Sequence, residues 1–253
     1  MRIGLRASTC IALAALVMSV YVSRYPGTRT VMNADEISRW DARYAGDEFL
    51  FGMQPNAFLA SQRARLRPGW KALAVADGEG RNGVWLAEQG MDVTSVDASS
   101  VAQRKARRLA QMRGVHLRFE LANLETWAFP AGQFDVVAAI FIQFAGPALR
   151  ARLFDGMMQS LKAGGILLLE GYGHKQLEYR TGGPPILENL YTEAMLRDAF
   201  RGFEIIELRA YDAVVHEGAG HSGMSSLVDL IACKPGSLRP GLPEPAVTRV
   251  PEL

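Results

Sequence analysis

Leu73-Ala74-Val75-Ala76-Asp77-Gly78-Glu79-Gly80-Arg81-Asn82-Gly83 is the stretch that decides the fold. An apolar run ends in a carboxylate, and a glycine-rich turn then opens a helix. Ala72 to Ala76 is apolar throughout and bounded by turn signals, which predicts a strand buried on both faces of a parallel sheet. Val84 to Gln89 predicts a helix closed by Gly90. A second strand, Asp92 to Val96, ends at Asp97, 20 residues after Asp77. That is the spacing of an acid that meets a ribose at the end of the second strand of a nucleotide-binding half.

Gly78, Gly80 and Gly83 match G-x-G-x-x-G. In this strand–turn–helix–strand–acid setting the pattern points to a nucleoside ligand. Asp77 narrows the choice. A dinucleotide would place its pyrophosphate at the helix N-terminus, where a neighbouring carboxylate repels it. S-adenosylmethionine (SAM) has no phosphate and carries an ammonium and a sulfonium, which an acid attracts. SAM is therefore favoured over NAD or FAD. The plain alternative is a βα turn with Asp77 as a helix cap.

Working outward, the chain has 253 residues, 49% hydrophobic and 21% charged, with a formal net charge of +2. That length suits one α/β domain. The absence of a long basic run argues against nucleic acid as a partner, and Arg104 to Arg108 is expected to be a solvated helix face. Cys10 and Cys233 form neither a metal pattern nor a disulfide framework, and Cys233 is expected in the core. The four histidines lack metal-ligand spacing, so no metal is expected.

Residues 1–31 differ from the rest. Arg2 and Arg6 precede an apolar run from Cys10 to Val22 that is too short for a bilayer, which needs about 20 residues. Met32 to Trp40 has the character of an ordinary cytosolic start. The preferred reading is an upstream extension with a mis-assigned start and a cytoplasmic protein. The alternative is an anchor or export signal, with membrane contact only if residues 10–22 are an anchor. Without Arg2, Arg6, Arg24 and Arg29 the balance is 24 basic against 26 acidic residues. The expected domain is 32–235. Five of the chain's 12 prolines fall from Pro235 onward, which predicts a disordered tail over 236–253.

Asp35 to Ala45 has Ile37, Trp40 and Tyr44 on one helical face. With the loop around Phe51 and a helix over Phe58 to Arg65, it is expected to form a lid on the ligand. Ser99 is an expected N-cap for a helix to Arg113, and Val115 to Leu121 a third strand. Asn123 and Leu124 follow, placed to meet an adenine edge, although Asn also suits a turn. Phe134 to Ile140 predicts the fourth strand, and Phe141 to Phe144 leave its carboxyl end beside the expected reacting centre. A helix over Pro147 to Leu161, a fifth strand over Ile166 to Leu169, a sixth over Phe203 to Leu208 and a last over Ser225 to Ala232 complete the expectation. A polar glycine turn over His216 to Gly223 implies an antiparallel final pair.

These features together resemble class I SAM-dependent methyltransferases, in the small-molecule branch with tellurite-resistance-type and thiopurine-type enzymes. The residues that carry the resemblance are Trp40-Asp41-x-Arg43-Tyr44, Phe51-Gly52-x-x-Pro55-Asn56, Asp77 to Gly83, Val96 to Ser99, Glu170-Gly171-Tyr172 and Gln176 to Pro185. It implies a Rossmann-like three-layer sandwich, with a seven-stranded, mostly parallel sheet and an antiparallel last strand. It also implies that Asp77, Gly78 and Gly80 hold the methionine part of SAM and that Asp97 bonds the ribose. Ala98, Asn123 and Leu124 would then meet the adenine. Trp40, Tyr44 and Phe141 complete the expected cofactor set. Many relatives have Asp where this chain has Asn123.

The implied reaction is methyl transfer to a small acceptor. A soft nucleophile, a thiol or a chalcogen oxyanion, needs little help from a base, so no obligatory catalytic side chain is expected. Tyr172, His174, Glu178 and His221 are the acceptor-side candidates. The competing readings are an NAD-linked oxidoreductase, which Asp77 and the lack of a Tyr-x-x-x-Lys pair oppose, and a non-catalytic SAM-binding protein.

Overall fold

The computed structural model describes residues 34–236. The expectations for residues 1–31 and for the tail beyond Gly236 lie outside them.

The sheet starts where the apolar runs predicted it. β1 (Lys71–Val75), β2 (Asp92–Asp97), β3 (Arg118–Leu121), β4 (Phe134–Ile140) and β5 (Leu161–Tyr172) run parallel. β6 (Glu204–Glu217) and β7 (His221–Cys233) complete a seven-stranded sheet in the order β3-β2-β1-β4-β5-β7-β6. β7 is antiparallel to both neighbours. This is the Rossmann-like arrangement with its last strand reversed.

Alternate residues of the central strands feed two cores. Leu73, Val75 and Val137 pack with Leu153, Phe154 and Met157 of α5 (Pro147–Ser160) and with Leu196 of α7 (Glu193–Ala199). Ala72, Val136 and Ile166 pack with Phe58 and Leu59 of α2 (Ala57–Ser61) and with Leu86 of α3 (Arg81–Glu88). Helices on both faces of a doubly buried sheet make three layers. Cys233 is buried, as expected of a core residue.

Local chemistry sets the helix ends. Ser99 accepts the Ala102 N–H and starts α4 (Ser100–Arg113), and Gly114 ends it in the left-handed region at φ 67°. Thr192 caps α7 in the same way. The first helix, α1 (Ala34–Arg43), docks on α4 through Asp41, whose carboxylate accepts from the Ser99 hydroxyl and from the Val101 N–H. An acid at the start of α4 also suits the helix dipole.

The structure corrects three expectations. The third strand begins at Arg118 rather than Val115. The fifth strand starts at Leu161, since Lys162 to Gly165 bulge out of the ladder between its pairings with Phe134 and Val136. Asp135 holds that bulge by accepting from Lys162 Nζ at 2.7 Å and from the Lys71 N–H at 2.9 Å. The last hairpin is far longer than predicted. His216 and Glu217 belong to β6 and His221 to Gly223 to β7, which leaves a turn of only three residues. The polar residues there sit on a two-stranded ribbon with alternating exposure, where cross-strand pairing holds them.

Among the described residues no helix is long and apolar enough to cross a membrane. Nor does any group of three or more His, Cys, Asp or Glu among them take a metal-binding arrangement.

Candidate functional site

Strand order reverses between β1 and β4, so a crevice opens beyond their carboxyl ends. Both strands end in a strained residue, Ala76 at φ 49° and Phe141 at φ 55°. Such backbone is held in place only by its surroundings and concentrates at ligand sites. Phe141 is held by its N–H bond to the Glu170 carbonyl at 2.8 Å.

The crevice, with its open mouth, takes in about 880 Å³ of space. Its floor is Asp77, Gly78, Asp97, Ala98 and Leu124; Trp40, Tyr44, Phe51, Phe141, Phe144 and His221 stand around it.

The two acids are buried and committed. Asp77 accepts the Gly83 N–H at 3.0 Å and the Ser95 hydroxyl at 2.7 Å. Burial pushes its carboxyl up to about 7, against the opposing pull of those two donors. Asp77 is therefore a cap for the turn and also a wall of the crevice. Asp97 accepts the Gly78 N–H and the Ser99 N–H, both at 2.8 Å. Burial raises its carboxyl as well, with Asp41 adding a smaller like-charge push.

Of the cofactor candidates, Trp40, Tyr44, Asp77, Gly78, Asp97, Ala98, Leu124 and Phe141 line the crevice. Gly80 and Asn123 do not. Gly80 is the N-cap of α3 at φ 86° and packs on Ala106. Asn123 closes a turn, its side-chain oxygen accepting the Glu125 N–H at 3.0 Å.

The sequence reading missed the role of Glu79, Arg81 and Asn82. Glu79 pairs with Lys105 at 2.6 Å and accepts the Phe51 N–H at 3.3 Å. Arg81 Nη2 meets Glu217 at 2.7 Å, and Asn82 accepts the Asn56 N–H at 2.9 Å. Three residues of the glycine turn thus tie down the segment from Phe51 to Asn56, α4 and the hairpin. The polar letters inside the turn were the available signal. Lys105 correspondingly donates to the Tyr44 and Glu48 carbonyls and is not part of a solvated face.

A second cavity adjoins the first and shares Trp40, Phe51, Phe141, Phe144 and His221 with it. Tyr172 lines the second cavity, beneath Gly182 to Pro185. His221 is clamped between Phe51 and Phe141, with ring centroids at 4.4 and 4.3 Å. Burial and the nearby Arg81 and Arg43 push its imidazole down to about 3, so the ring is neutral. Its Nδ1 and the Tyr172 hydroxyl are buried and have no hydrogen-bond partner. His174 and Glu178 are exposed and line neither cavity.

Residues 72–165 match the family model for a methyltransferase domain. No curated protein sequence matches the chain. Solved structures agree on the fold. A protein that converts a disulfide bond into a thioacetal group during echinomycin biosynthesis is 19% identical, with a TM-score of 0.64 over 79% of this chain and 92% of its own. TehB from Haemophilus influenzae is 16% identical, with a TM-score of 0.59 over 79% of this chain and 66% of its own. The 1,6-didemethyltoxoflavin-N1-methyltransferase of Burkholderia thailandensis, solved with its substrate and S-adenosylhomocysteine, is 18% identical, with a TM-score of 0.52 over 92% and 94%. The matched segment is thus similar to a methyltransferase domain, and the fold around it is the one these solved structures share.

Proposed function

We propose that the protein transfers a methyl group from SAM to a small acceptor with a soft nucleophile, a thiol or a chalcogen oxyanion. The observation that carries this reading is the pair of joined cavities. One is walled by acids. The other has no strong base, because its imidazole is neutral and Glu36 on its wall is paired with Arg39 at 3.7 Å.

The first cavity fits SAM. Asp97 would accept from the ribose hydroxyls, and Ala98 and Leu124 would face the adenine. Asp77 would face the ammonium. Arg81 lines the same cavity and has a buried Nη1 with no partner, which suits the methionine carboxylate. Bound SAM would supply an electrophilic methyl on a sulfonium. The protein's part is to orient the two reactants and exclude water. A group as weakly basic as His221 would not deprotonate an amine or a phenol, which favours an acceptor that arrives already ionised.

Asp97→Ala is expected to weaken SAM binding by about 1.5–3 kcal/mol, since charge-assisted bonds are lost. Calorimetric titration checks this, and an unchanged affinity would remove Asp97 from the ribose. The function is tested by titrating the full chain with SAM, S-adenosylhomocysteine and NADH, then assaying turnover. The acceptor panel is thiols, selenite, tellurite, phenols and amines. Binding of the first two ligands with turnover of thiols or oxyanions is expected. Turnover of amines or phenols alone would overturn the soft-acceptor reading. Binding of SAM without any turnover would point to a non-catalytic binding protein.

A further inference from the structure

The two cavities carry opposite charge. Asp77, Glu79 and Asp97 outnumber Arg81 around the first. Arg39 and Arg43 outnumber Glu36 around the second. A cationic cofactor and an anionic acceptor would each be drawn to their own side.

Arg43 is the notable group. Its guanidinium carbon lies 4.6 Å from the Trp40 ring centroid and 6.0 Å from that of Phe51. Stacking of this kind holds the planar fork in place without using its N–H donors. Arg39 is paired with Glu36, whereas Arg43 forms no ion pair among the described residues. It lines the second cavity and not the first. Phe141, Phe144, Tyr172, Pro184 and Pro185 give flat, largely apolar walls there, and the side chains of Gln143 and Asn189 beside them are bonded to backbone groups. A bare inorganic oxyanion would lose hydration against such walls and gain little. A flat organic body would bury apolar surface on them.

Building on the soft-acceptor reading, we propose that the acceptor is a flat organic thiol bearing a separate carboxylate, and that Arg43 binds that carboxylate at the cavity mouth. The thiol proton is lost to water before attack. The thiolate sulfur then forms the new S–CH₃ bond as the sulfonium C–S bond breaks, and the electron pair of that bond stays on the cofactor sulfur. Arg43 takes no part in this step. It is a specificity residue.

The test compares 4-mercaptobenzoate with thiophenol as acceptors for the wild type, Arg43→Gln and Arg43→Lys. In parallel, the methylated products 4-(methylthio)benzoate and thioanisole are titrated into the complex with S-adenosylhomocysteine. Wild type is expected to prefer the carboxylated thiol. Arg43→Gln should cut that preference about tenfold, mainly through KM. Arg43→Lys should restore part of it, because the charge remains while the fork is lost. The product affinities should shift in the same ratio.

Equal losses for both acceptors would overturn the proposal. So would weakened SAM binding with the preference intact, which would assign Arg43 to the cofactor. Thiol turnover with no preference for the carboxylate in the wild type would sink this inference alone. No thiol turnover despite bound SAM would remove the soft-acceptor reading on which it rests.

Discussion

Gly80→Ala is expected to lower the melting temperature by roughly 5–15 °C, on the scale of a few degrees per kcal/mol for a domain of this size, and to abolish SAM binding. Two effects add. Gly80 sits at φ 86°, where an L side chain is strained by about 1–2 kcal/mol. Its new Cβ would lie 2.6 Å from Ala106 Cβ and 2.9 Å from Ala106 Cα. The second contact is with helix backbone, so a rotamer change cannot relieve it. Overpacking of that kind costs about 1–3 kcal/mol. Relief requires α3 and α4 to separate, and the turn that carries Glu79, Arg81 and Asn82 would move with them. Thermal melts and SAM titration check this. A melting point within 2 °C of wild type, roughly what less than 1 kcal/mol would give, would show that the turn yields without α4.

Asp77→Asn is expected to make the protein more stable at pH 8 and a poorer binder of SAM. The Asp77 carboxyl titrates near 7 in the fold against 3.8 as its ordinary value. A raised carboxyl favours the protonated fold. Its contribution is complete below pH 3.8, declines as pH rises, and is gone above about 7. At 1.36 kcal/mol per pH unit the loss approaches about 4 kcal/mol. The wild-type melting temperature should therefore fall between pH 5 and pH 8, and that part of the slope should vanish in Asp77→Asn. Asn keeps an oxygen for the Gly83 N–H but has no charge for a cation. SAM, by stabilising the ionised acid, should bind wild type more tightly as pH rises through 7 and release a proton. Identical pH slopes in the two proteins would mean that another group dominates the titration.

Much of this was legible because special residues mark strand ends. The run Leu73 to Gly83 predicted β1, the turn and α3 within three residues, since an apolar run and a glycine turn have few other solutions. Asp97 at the end of β2 followed from spacing alone. The long hairpin was not legible. Its polar, glycine-bearing sequence has the composition of a loop, and it is a strand only because β6 and β7 pair with each other. The strained φ of Ala76 and Phe141 carries no sequence mark, because tertiary contacts impose it. The ties from Glu79, Arg81 and Asn82 span 26 to 136 residues of chain, beyond the reach of any local pattern.

The position of β7 has a consequence during synthesis. β5 ends at Tyr172, but its second neighbour in the sheet is made of His221–Cys233. Until residue 233 leaves the ribosome, one edge of β5 and the inner edge of β6 have no partner. Leu167, Leu168 and Leu169, fully buried in the finished protein, would lie on an open edge of the kind that templates aggregation. The half from β1 to β4, with its cofactor turn, can assemble first. The sheet is then closed by insertion of a strand between two waiting edges, so the last strand made acts as the keystone of the sheet.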